Sequence, residues 1–283
     1  MKSNGKSIIL LIALLSLFSL TGCNSQKVIK ASEAEEKYWN TLSGNVVVLY
    51  KQGRLNEAYK FADEALKVAK HIYGNEHPKV AASLNNIAEL NRAKGDFTKA
   101  ESLYKEALKM DEKVLGKEHV DVAKDLNNLA VLYRVTGKLT EAETLTKRAL
   151  EIREKALGKD DPEVAISLSN LGVIYRVQGK YPEAEPLFKR ALSIREKAFG
   201  KEHPDIAISL NNLAELYSAE GKYAQAEPLF KTSIQMLEKT LGKDHPNIAT
   251  VMKNLSAMYK SMGKNDLAQT FDKNAVTILS KKH

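Results

Sequence analysis

Along residues 207–217, Ala207, Leu210, Leu213, Ala214, Leu216 and Tyr217 fall on one side of a helix drawn at about 100° per residue, with amide and charged residues opposite. The same spacing returns down the chain. Gly95, Gly137, Gly179, Gly221 and Gly263 lie 42 residues apart, as do Gly74, Gly116, Gly158, Gly200 and Gly242. Two glycines per period predict two turns, and so two helices, per unit. Pro78, Pro162, Pro204 and Pro246 open the first helix of their units, where a missing N–H costs nothing. Pro186 and Pro228 fall inside second helices, where the lost hydrogen bond predicts a bend. A weaker first unit, "YWNTLSGNVVVLYKQGRLNEAYKFADEAL", fits if one residue is missing before Gly53, which brings the count to six units over residues 36–283.

One helix pair cannot bury its apolar face, so the units must stack, and stability becomes a sum over units and their interfaces. The expected fold is all-α, a right-handed superhelical solenoid of six helix-turn-helix units whose concave side is lined by the first helices. Small residues at Ala88, Ala130, Gly172 and Ala214, with tyrosines three positions later at Tyr133, Tyr175 and Tyr217, resemble the tetratricopeptide repeat. The 42-residue period, the "LGKEHP" turn and the "LNNLA" helix look most like the longer repeats of kinesin light chain. That resemblance implies protein or peptide binding in the groove, with a row of asparagines gripping the ligand.

Asparagine is a mediocre helix former, roughly 0.5 kcal/mol worse than alanine, yet it recurs inside the first helices. With the residue two before the small Ala or Gly as position six, that position reads Asn45, Asn86, Asn128, Asn170, Asn212 and Asn254. Position five adds Asn85, Asn127 and Asn211, with Ser169 and Lys253 in other units. Both positions are expected to face the groove. A carboxamide donates and accepts, so it can bond to the N–H and C=O of a passing peptide whatever its sequence. With neighbouring helices about 10 Å apart and an extended chain rising about 3.3 Å per residue, one asparagine meets every third ligand residue. Two roles fit these amides: clamps on a ligand backbone, or bonds between neighbouring helices that set their stacking.

Position twelve brings charge. Arg92, Arg134 and Arg176 follow one another, flanked by Lys51 and Lys260, and guanidinium forks suit carboxylates. On the same arc lie Val131, Val135, Ile166, Val173 and Val177, apolar residues directed away from the core. The set fits a ligand with an apolar anchor beside acidic residues, or a solvated basic face with incidental valines.

Composition narrows the class further. The chain carries a formal charge of +8, but its Lys and Arg are dispersed among 35 acidic residues with no dense basic run, which argues against a nucleic-acid partner. His77, His119, His203 and His245 sit at equivalent turns, one per unit, and so cannot converge on a metal; helix capping is their expected role. Phosphate loops and nucleophile motifs are missing, and paired carboxylates such as Glu183 and Glu185 recur as a solvated face would. The reading is non-enzymatic, with no cofactor, metal or small-molecule substrate.

Residues 1–22 have the layout of a secretory signal, with Lys2 and Lys6 before an apolar run from Ile8 to Leu20. "LTGC" resembles the lipobox of bacterial lipoproteins, which implies cleavage before Cys23 and its lipidation; Cys23 is also the only cysteine. The alternative is an ordinary signal with a chance cysteine. Residues 23–35 read as a short tether, and Asn24 after the cysteine implies, by the same resemblance, the outer membrane of a bacterial envelope facing the periplasm. The expected protein is thus a membrane-anchored scaffold that holds an extended peptide segment. The alternative is an assembly factor of an envelope machine acting through its convex face or its ends.

Overall fold

The computed structural model describes residues 33–280, so Cys23 and the segment around it lie outside the described residues. Twelve helices and no strands make up the described chain. The first helices of the units are α1 (Glu33–Lys51), α3 (Pro78–Lys94), α5 (Val120–Val135), α7 (Pro162–Val177), α9 (Pro204–Ala219) and α11 (Pro246–Ser261). Their partners are α2 (Leu55–Tyr73), α4 (Phe97–Val114), α6 (Leu139–Leu157), α8 (Tyr181–Phe199), α10 (Tyr223–Leu241) and α12 (Asn265–Ser280). The six helix pairs expected from the glycine spacing are therefore present, the first included.

The turns are built as the sequence indicates. Gly53 and Gly95, each between the two helices of a unit, take φ of 75° and 83°, in the left-handed region that other residues resist. At the opposite turn the recurrent histidines cap the following helix. Nδ1 of His77 accepts the Lys79 N–H at 3.1 Å, and His119, His203 and His245 do the same for Asp121, Asp205 and Asn247 at 3.2 Å. In the fourth unit Asp161 takes over, accepting the Glu163 N–H at 2.8 Å. His77 and His203 also stack on Tyr73 and Phe199, with ring centroids 4.1 and 4.4 Å apart.

These caps carry a pH signature. Only the neutral imidazole accepts at Nδ1, and burial followed by the Lys79 charge pushes the His77 pKa below its usual value. A depressed folded pKa means the contribution is present above the unfolded value of about 6.5 and is lost as pH falls. His77→Asp keeps an acceptor at all these pH values. Between pH 8 and pH 5 the native chain should therefore lose about 1 kcal/mol more than His77→Asp, the worth of one N-cap. Parallel thermal melts would show that the cap contributes nothing.

Curvature follows from how the layers pack. Each helix packs against the next in sequence, and successive first helices also touch one another, whereas successive second helices do not. The first helices form the tight inner layer and the second helices the splayed outer one. Alanines let the layers approach: Ala58, Ala62, Ala65 and Ala69 of α2 are fully buried, as are Ala184 and Ala226 in later units. Phe188 and Phe230 fill the wider gaps. Pro186 and Pro228 end neither helix; α8 and α10 run through them.

A second periodic device ties units together on the outer side. The hydroxyls of Tyr133, Tyr175 and Tyr217 donate to Glu101, Glu143 and Glu185 on the second helix of the preceding unit, at 3.0, 3.2 and 2.8 Å. Lys105, Lys147 and Lys189 pair with the same carboxylates at 2.6–2.7 Å. Hydrogen bonds from Lys105 and Lys138 outweigh burial and hold Glu101 at about 2. Glu185 is therefore an inter-unit strut, which corrects its reading as part of a solvated face.

Candidate functional site

The inner layer separates the two asparagine positions. Position five turns into the seam between neighbouring first helices: Asn85, Asn127 and Asn211 are all more than nine-tenths buried. Asn85 Nδ2 donates to Asp125 Oδ1 at 2.6 Å, and Asn127 Nδ2 to Ser167 Oγ at 2.9 Å, each reaching the next unit. Asn211 Nδ2 donates to Glu215 at 2.6 Å and its oxygen accepts from Asn254 at 3.0 Å. Ser169, at the same position, accepts from Arg195 at 3.2 Å. The expectation that Asn127 and Asn211 face the groove is corrected. They bond across or along helices, because two helices packed side by side claim the flank nearest each other.

Position six behaves differently. Asn45, Asn86, Asn128, Asn170 and Asn212 are half-buried, and their amides make no side-chain hydrogen bond among the described residues. Asn254 is the exception and a second correction, since it donates to Asn211 and to Glu215 at 3.0 and 2.8 Å. The row open toward the groove thus has five amides, a full set of donors and acceptors facing outward.

The arginine row resolves into two paired members and one free. Arg92 Nε donates to Glu89 Oε2 at 2.9 Å, and Glu89 also accepts from Tyr50 and Tyr104 at 2.6 and 2.7 Å. Burial would raise the pKa of Glu89, but hydrogen bonds from Arg92, Tyr50 and Tyr104 hold it at about 2. Arg176 pairs with Glu215 of the next unit at 2.8 Å, and Glu215 further accepts from Asn211 and Asn254. Lys260 is taken by Asp272 at 2.6 Å. Between the two hubs stands Arg134, half-buried, with no hydrogen bond or ion pair among the described residues. Burial, then repulsion from Arg176 and Arg92, push its pKa down, though a guanidinium stays protonated.

The reason lies at position nine, which reads Val48, Glu89, Val131, Val173, Glu215 and Ala257. An arginine at position twelve can reach the carboxylate three residues back on its own helix, as Arg92 does, or the one on the following first helix, as Arg176 does. Arg134 has valine at both. Sequence reasoning passed over Glu89 and Glu215, although the alternation of Glu and Val down that column was the signal. The same valines give the site its apolar part. Val131 and Val173 are half-buried beside Arg134's row, while Ile166, Val135 and Val177 are 38%, 44% and 50% exposed, enough for an apolar ligand group to cover.

In the groove the chain therefore presents Arg134, without an ion pair among the described residues, together with flanking valines and a row of open amides. This arrangement can hold a carboxylate and main-chain groups, but it offers no acid–base pair and no nucleophile–base couple. Among the described residues no three His, Cys, Asp or Glu side chains gather as a metal site, and no helix is long and apolar enough to cross a membrane.

Comparison with known proteins agrees with the architecture. The tetratricopeptide repeat model matches residues 40–113, 121–197, 163–239 and 205–281. The structure is similar to a kinesin light chain with nearly identical TPR-like repeats from Podosopora anserina, 26% identical, covering 74% of this chain and 99% of that one, TM-score 0.56. It is also similar to BtubC (BKLC) of P. vanneervenii, 23% identical over 88% of this chain and 92% of that one, TM-score 0.59. A third similar structure is a Rap protein complexed with competence and sporulation factor, 16% identical over 87% of this chain and 77% of that one, TM-score 0.63. No curated protein matches the chain.

Proposed function

The chain belongs to the tetratricopeptide repeat family, and on that premise we propose that it is a protein-interaction scaffold whose concave groove holds an extended peptide segment bearing an acidic residue next to an apolar one. The observation that carries this reading is the unsatisfied set in the groove: five position-six amides and Arg134, none with an internal partner. A half-buried guanidinium that bonds to no carboxylate gains a charge-assisted bond when one arrives, whereas Arg92 and Arg176 must first give one up. Asn86, Asn128, Asn170 and Asn212 then bond the ligand main chain at about three-residue intervals, and Val131 and Val173 floor the contact for its apolar side chain.

The reading extends to place. We take Cys23 as the lipid attachment point that holds the scaffold at a bacterial envelope membrane, as its lipobox-like context suggests; several acyl chains make a firm anchor where one is marginal. Mass analysis of the N-terminus would show an acylated Cys23 or an unmodified one, and the latter removes the anchor.

Binding is tested with an array of nine-residue peptides carrying Asp or Glu beside one large apolar residue. Peptides that bind the native chain should lose roughly tenfold to thirtyfold in affinity for Asn128→Ala combined with Asn170→Ala, at about 1 kcal/mol per hydrogen bond, with an unchanged helical spectrum. Unchanged affinity in that variant, or no preference for acidic peptides, would overturn the reading and favour an assembly factor working through the convex face or the ends of the stack.

A further inference from the structure

Where α4 of the second unit packs against α5 of the third, the chain sets Asp111 against Asp125. The two carboxyls are 3% and 1% exposed. At the other four unit boundaries the same two places read Ala69 and Ser83, Arg153 and Ser167, Arg195 and Ser209, and Leu237 and Val251, so this boundary alone brings two acids together there. The carboxyls hydrogen-bond to each other, and Asn85 Nδ2 of α3 donates to Asp125 Oδ1 at 2.6 Å. Ionised carboxylates only accept, so the bond between the acids exists only while one of them keeps its proton.

No cation of the chain stands in for that proton. On α3, Lys79 lies over the Trp39 ring at 4.3 Å and 3.6 Å from Glu36 of α1. On α5, Lys124 is exposed and makes no ion pair among the described residues, while Asp121 adds a further negative charge and His119 stands at the turn before the helix. On α6, Arg148 is held by Glu112 at 2.7 Å and Arg153 by Glu163 at 2.9 Å. On α7, Ser167 is taken by Asn127 and Arg153. The pair therefore depends on its own proton for closure.

We propose that the boundary between the second and third units is a pH-operated joint: a proton shared by Asp111 and Asp125 closes the contact of α4 with α5, and loss of that proton loosens it. Two charges side by side in a buried place repel with little screening, and each has also given up its water. Burial, and then the Asp111 charge, push Asp125 above the usual carboxylate range, and burial pushes Asp111 up as well. A raised folded pKa means that the contribution of the pair is complete below the unfolded value of about 3.9 and is lost as pH rises through the raised folded values. The direction is opposite to that of the histidine caps, which weaken as pH falls. The joint also bears on the groove, because α3 and α5 carry Asn86 and Asn128. Loosening it changes the spacing of those two amides, so on the groove reading a ligand that spans them is held more weakly at high pH.

Backbone hydrogen exchange of the full chain at pH 5 and pH 9 reads the joint. Protection in α4 and α5 is divided by that in α9 and α10 of the same molecule, so that the intrinsic pH dependence of exchange cancels. On going to pH 9 the ratio should fall at least about tenfold, and it should recover on return to pH 5. Trp39, the only tryptophan, is buried beside the pair and should become several-fold more open to a neutral quencher over the same range. Asp125→Asn is the decisive variant. Its amide donates to the Asp111 carboxylate and its oxygen still accepts from Asn85, so the pair closes with no proton to lose. The exchange ratio and the quenching should then be the same at both pH values. Because the His119 imidazole faces the pair, the reference chain and the variant both carry His119→Asn, which keeps a cap acceptor; the other histidine caps are common to the two. Should Asp125→Asn fail to fold, Asp111→Asn makes the same exchange from the other side, and the comparison of boundaries within the reference chain needs no acid variant. A ratio in the reference chain that does not change with pH, or an acid variant that opens as far as the reference, would overturn the proposal. No ligand takes part, so failure of the groove reading leaves the joint standing, and a failed joint leaves the groove reading as it was.

Discussion

Changing Arg134 to glutamate is expected to cut the affinity for an acidic groove peptide at least about a hundredfold while leaving the thermal midpoint unchanged or higher. The first half follows from the charge-assisted bond that is lost, about 1.5–3 kcal/mol, together with the like-charge repulsion that replaces it. The second half follows from what surrounds the side chain. Arg134 has no ion pair to lose, and it stands between Arg92 and Arg176, whose charges oppose its own. A carboxylate there would meet two guanidinium groups, whose charges outweigh the smaller effect of Glu215. Arg92→Glu makes the contrast: it breaks the bonds to Glu89 that join α1, α3 and α4 through Tyr50 and Tyr104, so it should lower stability as well as affinity. Peptide titration with thermal melts of both variants decides the matter. If Arg134→Glu kept its affinity, or lost as much stability as Arg92→Glu, the free guanidinium would not be the ligand's contact. The salt dependence of binding should also flatten in Arg134→Glu, since the screened attraction has gone.

The second large effect concerns the stack itself. Phe188→Ala should cost about 3–5 kcal/mol, the usual range for emptying a buried phenylalanine site that cannot collapse. This ring is 1% exposed and lies against the backbone of α7, so close that a Cβ on Gly172 would stand 2.8 Å from its Cε1. Its other face packs with Leu213 and Leu216 of α9, so one side chain joins the fourth unit to the fifth. In a stack whose stability is a sum of units and interfaces, weakening one central interface uncouples the two sides. Urea unfolding followed by the helical signal should show the loss and a broadened or divided transition. A single sharp transition displaced by less than about 1 kcal/mol would mean that α7, α8 and α9 close over the gap.

Sequence periodicity alone carries far in such a molecule, because in a repeat every structural requirement is stated several times. The recurrence of Gly53, Gly95 and their successors located both sets of turns, and the recurrent histidines before Pro78, Pro204 and Pro246 announced helix starts that the structure caps through Nδ1. Even the first unit, one residue short, was recognisable. These features depend on neighbours within a few residues, where chain geometry leaves few choices.

What lay beyond the sequence were distinctions made between units. Asn85 and Asn86 are one residue apart, about 100° around the helix, and both fall on the polar arc; only the packing of α3 beside α5 assigns one to the seam and leaves the other open. Arg92, Arg134 and Arg176 read alike along the chain, yet Arg92 is paired by Glu89 three residues back while Arg176 is paired only through Glu215, 39 positions on. Asp111 and Asp125, on different helices, become one buried carboxyl pair only where α4 packs against α5. Local chain physics set the helices, turns and caps; side-by-side packing in the inner layer set which polar groups are spent on the fold and which remain for a ligand.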